Sequence, residues 1–209
     1  MDTELLKYIL PATIGVIGVL IGTLISFWTN YLIKSKETAL RIHEKIFDKK
    51  VIAYENLLNL SQAMRITNTT QIIDKTTVVK KYPNSLKNRE SLISFAKKYN
   101  KSANENSFWV DIEIVRLLHF FKDYLTHLSI TLKDIPEEQF MNAGIIIKND
   151  FLRYAHELET KVTVFFEMEI EKPKLKTRRG YFKYDDETYK KLLMDTELKK
   201  NEANIINLR

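Results

Sequence analysis

Residues 8–33 form an unbroken run of 26 uncharged positions, bounded by Lys7 and Lys34. As a helix the run reaches about 39 Å at 1.5 Å per residue, enough to cross a hydrocarbon core of about 30 Å with some tilt. A buried strand would be far shorter. A secretory signal wants a basic start, a shorter apolar stretch and a small-residue cleavage site. This chain instead opens with Asp2, Glu4 and Lys7 and leaves the run through Phe27-Trp28-Thr29-Asn30. The run therefore predicts a transmembrane anchor over residues 1–33. Tyr8 at one end and Trp28 and Tyr31 at the other suit the headgroup level, where amphipathic rings settle. Pro11 falls in the first turns, where a missing N–H costs little.

The flanks set an orientation. Lys7 is the one basic side chain before the run, whereas Lys34, Lys36, Arg41, Lys45, Lys49 and Lys50 follow it closely. The positive-inside bias then predicts a cell-membrane, single-pass protein with its N-terminus outside and its C-terminal part in the cytoplasm, with Lys34, Lys36 and Arg41 facing headgroups. Asn-Thr-Thr at Asn68 and Asn-Lys-Ser at Asn100 would lie in the cytoplasm and are read as chance matches to the glycan acceptor pattern. Beyond position 33 the formal charge is +7, which suits an anionic neighbour, either lipid headgroups or nucleic acid. Cysteine is absent, so disulfides, thiolate metal sites and thiol nucleophiles are excluded together. Within the run, Gly18, Gly22 and Ser26 repeat at four-residue spacing with Gly15 one turn earlier. That is a face of small residues on which another membrane helix, such as a second copy, can approach closely.

The fold class expected is all-α: the transmembrane helix continues into a cytoplasmic antiparallel helical bundle over 34–171, followed by a basic segment and C-terminal helix over 172–209. From 34 to 65 no glycine or proline interrupts. One apolar row holds Leu40, Phe47, Val51, Tyr54 and Leu58, and a second holds Ile42, Ile46, Ala53, Leu57, Leu60 and Met64. This helix is expected to end near Thr67-Asn68-Thr69-Thr70-Gln71. Residues 71–83 fit either a short strand or a frayed helix, and a helix over about 85–99 follows, with Leu86, Leu92, Ile93, Phe95 and Ala96 inward.

Ser107 is expected to cap a core helix in which Val110, Ile114, Leu117, Phe121, Tyr124 and Leu128 alternate at four and three residues. Asp134 and Pro136 mark the next start, and Phe140, Gly144, Ile147, Phe151, Tyr154 and Leu158 repeat that spacing. The two helices make a hairpin of a bundle. Residues 162–170 alternate strictly, so 162–184 reads as either continued helix to about 171 or a β-hairpin. A last helix is expected over 186–199.

No phosphate-cradling, zinc-protease or nucleophile-elbow motif is present. The best catalytic-looking set is His119, Asp123 and His127, one stripe at four-residue spacing that could ligate a divalent metal with help from His156 and Glu157. The stripe lies opposite the apolar seam, so a solvated polar face accounts for it, as it does for His43. Arg178-Arg179-Gly180-Tyr181-Phe182-Lys183-Tyr184 mixes basic and aromatic residues in the manner of single-strand binding surfaces. It lacks the small residue and the sheet of an RNA-recognition domain, so nucleic acid is disfavoured as a partner. Lys172, Lys174, Lys176, Arg178, Arg179 and Lys183 form a basic run that could also lie on lipid.

The span followed by a charged helix carrying Tyr54-Glu55-x-Leu57 resembles a loose group of uncharacterised bacterial and phage single-pass membrane proteins, over roughly the first sixty residues. That resemblance implies membrane attachment. The expected function is a non-catalytic interaction or scaffold module with the bilayer and a cytoplasmic protein as partners, and with no catalytic residue, metal or cofactor. The alternatives are a small membrane effector of bacterial or phage conflict and a membrane-associated metal-dependent hydrolase.

Overall fold

The absence of glycine and proline from residue 23 to residue 65 is realised as one helix, α1 (Thr3–Arg65). The computed structural model describes residues 3–74, 76–169 and 181–208, with side chains for 13–70, 79–167 and 181–208. These residues are mostly helical, as an all-α chain requires, with one two-stranded sheet added. The chain divides into two units, Met1–Lys49 and Lys50–Arg209.

In the first unit the large apolar side chains from Ile14 to Ile33 are all exposed, as are Leu40 and Ile42. Two threonine hydroxyls of this stretch are satisfied inside the helix itself. The hydroxyls of Thr23 and Thr29 donate to the carbonyls of Leu20 and Ile25 at 2.9 and 2.8 Å, the back-bonding that lets threonine sit in an apolar helix.

In the second unit the end of α1 contributes Ala53, Tyr54, Leu57, Leu60 and Met64 to the core. It stops at Arg65 because the next residues form a hairpin, β1 (Thr67–Asp74) and β2 (Thr76–Pro83), paired antiparallel from Thr67 opposite Pro83 to Asp74 opposite Thr76. The segment expected as a helix end is thus β1, and the ambiguous 71–83 is strand. Threonine, isoleucine and valine crowd both strands, and their branched side chains fit a pleated surface better than a helix. Asn84 N–H to Ile66 O at 2.9 Å closes the hairpin's base.

The helix α2 (Arg89–Asn106) starts later than expected, where Asn88 accepts the Ser91 N–H at 2.8 Å. Ile93, expected inward, is exposed. Ser107 does not open the next helix. It is the C-terminal cap of α2, its N–H bonded to Ala103 O, and α3 (Ile112–Thr131) begins after Asp111. After a single 3-10 turn, α4 (Phe140–Glu169) runs as one helix through the alternating stretch. Val162 and Phe165, three apart, are its buried members there, and Phe165 stacks on Tyr54 with centroids 3.6 Å apart. Residues 170–180, including most of the basic run, lie outside the described residues.

Helices α3 and α4 run against each other. Phe120 meets Tyr154 at 5.4 Å, and four residues further along α3 the Tyr124 hydroxyl reaches Asp150, four residues earlier on α4. Gly144 marks where α4 passes closest to the hairpin. A Cβ there would sit 3.2 Å from the Cβ atoms of both Tyr82 and Leu86. The expected single C-terminal helix is broken into α5 (Asp186–Met194), α6 (Glu197–Lys200) and α7 (Glu202–Ile206). The break comes at Thr196, whose hydroxyl accepts the Lys199 N–H at 3.1 Å and so starts a new turn.

Candidate functional site

The residues singled out on α1 are open. A Cβ added at Gly15, Gly18 or Gly22 would meet nothing within 4 Å, and Ser26, Lys34, Lys36 and Arg41 are exposed, as are Trp28, Tyr31 and His43. The side chains of Tyr8 and Pro11 lie outside those described. The small residues and the basic residues that follow them are therefore open along α1, with no other described part of the first unit laid over them.

The polar stripe of α3 has a different fate. It is not left to solvent, because the C-terminal segment docks along it. Arg116, already paired with Glu113 at 2.7 Å, donates through Nε to Tyr181 O at 3.0 Å. Lys183 Nζ lies 3.4 Å from Asp123 Oδ2, and His127 Nε2 lies 3.2 Å from Glu202 Oε1. His119 and Asp123 line an open cleft of about 180 Å³ with Phe120, Lys183, Tyr184 and Tyr189. Burial first, then the positive charges of Lys183 and Lys122, hold the His119 imidazole below its ordinary pKa against the opposing pull of Asp123. A lysine ammonium in the cleft and a neutral-leaning imidazole describe a packed polar seam. Among the described residues no group of three or more histidines and carboxylates is placed to hold a metal. His156 is exposed, and it borders a different cleft with Arg65, Glu159 and Thr160, so the ligands that would complete a metal set are not brought together.

Asp150 is the polar residue that sequence reasoning missed. It is 2% exposed, yet it meets three donors: the Tyr124 hydroxyl at 2.9 Å and the backbone N–H groups of Glu197 and Leu198 at 2.8 and 3.0 Å. Burial is the largest influence and raises its pKa, opposed by the two amides, the Tyr124 hydroxyl and Arg153. The carboxylate thus pins the start of α6 to α4, and Arg153 adds an ion pair to Asp195 at 2.6 Å. The usable signal was a carboxylate between Ile147 and Tyr154, inside an otherwise apolar row. A buried charge without partners is too costly to keep, so that position announces a hydrogen-bonded partner. No family model matches the chain, and neither the curated proteins nor the solved structures contain a significant match to it.

Proposed function

We propose that the protein is a single-pass, membrane-anchored scaffold whose cytoplasmic helical bundle binds another protein without catalysing a reaction. The observation that carries this reading is the stretch of α1 from Ile14 to Ile33, in which every large apolar side chain is exposed. Contiguous apolar surface of this extent needs a non-aqueous neighbour, and a helix that satisfies its own threonine hydroxyls is suited to lipid. The lysines and arginine after position 33 favour the cytoplasm for the remainder, and the small-residue face of Gly15, Gly18, Gly22 and Ser26 favours self-association. The α3 stripe supports the non-catalytic part, since Asp123 pairs with Lys183 and His127 lies against Glu202, both on the chain's own C-terminal segment.

Alkaline carbonate extraction of cell membranes tests the anchor. The full chain should stay in the membrane pellet, and deletion of residues 1–33 should release it. A reporter active only in the cytoplasm, fused after Arg209, should work. If external protease on intact cells digested the C-terminal part and spared the N-terminus, the orientation would be overturned.

A further inference from the structure

The segment that docks on α3 and α4 is held unevenly along its length. Thr196, Leu198 and Ile205 are fully buried, the Asp150 carboxylate accepts the Glu197 and Leu198 N–H groups, and Asp195 pairs with Arg153. Upstream of these, α5 contains no buried residue. Tyr184, Tyr189, Leu192 and Leu193 are only partly buried against the core. Polar links from this part to α3 are the Arg116 bond to Tyr181 O and Lys183 at 3.4 Å from Asp123. Local opening is cheapest where few contacts are buried, so 181–194 can open while 195–206 stays seated.

Two histidines on one stripe of α3 meet opposite charges on these two parts. His119 lines its cleft together with Lys183, Tyr184, Asp186 and Tyr189, whereas the buried Nε2 of His127 lies 3.2 Å from Glu202 Oε1 of α7. From this arrangement we infer that the C-terminal segment is a pH-sensitive strap, in which acidification frees 181–194 from α3 while 195–206 stays gripped. Lifting the first part bares the Phe120 ring, which is 2% exposed when the rings of Tyr184 and Tyr189 lie against it at 6.4 and 5.5 Å.

The sign follows from the groups around each ring. In the closed arrangement burial, then Lys183 and Lys122, hold the His119 imidazole below its ordinary 6.5 against the pull of Asp123. Asp186 also faces the cleft and attracts a protonated ring, and the tyrosine hydroxyls beside it stay neutral in this range, yet the net influence keeps the imidazole uncharged. Opening removes Lys183 and the cover of α5 and leaves Lys122 and Asp123, which are on α3 itself. The open form therefore binds the proton more tightly. Closing is unaffected above 6.5, weakens as pH falls below it, and levels off once pH is under the lowered value. His127 works in the other sense. Glu202 is kept charged by Lys199 first, so a protonated His127 ring gains a carboxylate partner on α7.

Hydrogen exchange on the full chain in detergent, with each rate corrected for the pH dependence of an unprotected amide, reads the two parts separately. Between about pH 7.5 and about pH 5.5, the range in which histidine titrates, protection across 189–194 should fall severalfold and protection across 199–206 should not fall. His119→Gln should abolish the drop at 189–194. Lys183→Met keeps the stem but removes the charge that opposes a protonated ring, and should shrink the drop. Lys183 is exposed, so this second variant does not threaten folding. His127→Gln should leave the drop in place, because that ring faces Glu202 and not Lys183. Equal protection of 189–194 at both pH values, a drop that survives His119→Gln at full size, or an equal fall across 199–206 would overturn the strap.

Discussion

Replacing Asp150 with alanine should release the C-terminal helices from α4. The side chain accepts from the Tyr124 hydroxyl and the Leu198 N–H, both buried, and from the partly buried Glu197 N–H. A buried donor left unpaired costs about 1–3 kcal/mol, and water can reach the Glu197 amide but not the other two. Two stranded donors, less the relief of the carboxylate's own burial cost, put the loss at about 3 kcal/mol. With a urea slope of about 2 kcal/mol per molar for a domain of this size, the midpoint of the full chain in detergent should fall by about 1.5 M. Hydrogen exchange should rise first at residues 195–206, where local opening becomes cheap. Asp150→Asn keeps one acceptor and should lose about half as much. A midpoint within about 0.3 M of the wild type, with unchanged exchange at 195–206, would refute the assignment of Asp150 as the pin.

The same carboxyl carries a pH signature. Its pKa is raised above the ordinary 3.8, chiefly by burial, so between 3.8 and the raised value the folded chain holds a proton that the unfolded chain has released. Stability from this group is therefore fully present below 3.8 and lost as pH rises through the folded pKa. Asp150→Asn cannot titrate there. The stability gap between wild type and Asp150→Asn should be widest at low pH and narrow as pH rises.

Two further outcomes follow from the contacts. Gly144→Ala gains helix propensity of about 1 kcal/mol, but its Cβ meets two Cβ atoms at 3.2 Å that cannot swing aside, so the urea midpoint should show a net loss of about 1–2 kcal/mol; a gain would mean the hairpin yields. Asp195 titrates below its ordinary 3.8 because Lys200 and Arg153 hold its charged form. Its contribution is present above 3.8 and lost as pH falls through the lowered pKa, so Asp195→Asn should be cleaved faster than wild type near the C-terminus at neutral pH and equally fast in strong acid.

Periodic features were legible in the sequence. The apolar rows of α3 and α4 name Ile114, Leu117, Phe121, Tyr124, Ile147, Phe151 and Tyr154, and all are buried. The hairpin was harder, because its threonines are polar enough to resemble a loop, and because strand identity rests on cross-strand pairing that one segment does not display. Ser107 misled for a local reason: serine caps either end of a helix, and the deciding partner, Ala103 O, belongs to the preceding turn. The alternation over 162–170 misled because Val164 is exposed while Phe165 is buried, which only the facing Tyr54 ring explains. Asp150 was visible as an anomaly, but its partners lie 26, 47 and 48 residues away, and no local rule spans that distance.

Where the chain's charges go narrows where a partner can bind. In the second unit the α3 stripe that most resembled a site pairs with Lys183 and Glu202, and exposed large apolar residues such as Ile93 and Ile130 stand singly in the sequence, with Tyr181 and Phe182 an adjacent exposed pair, which is ordinary for a folded surface. On α1 the exposed apolar residues are consecutive through the anchor and recur at Leu40 and Ile42 beyond it. The lysines interspersed there keep that stretch from collapsing onto any apolar neighbour, so its specificity has to come from charge register as well as from apolar area.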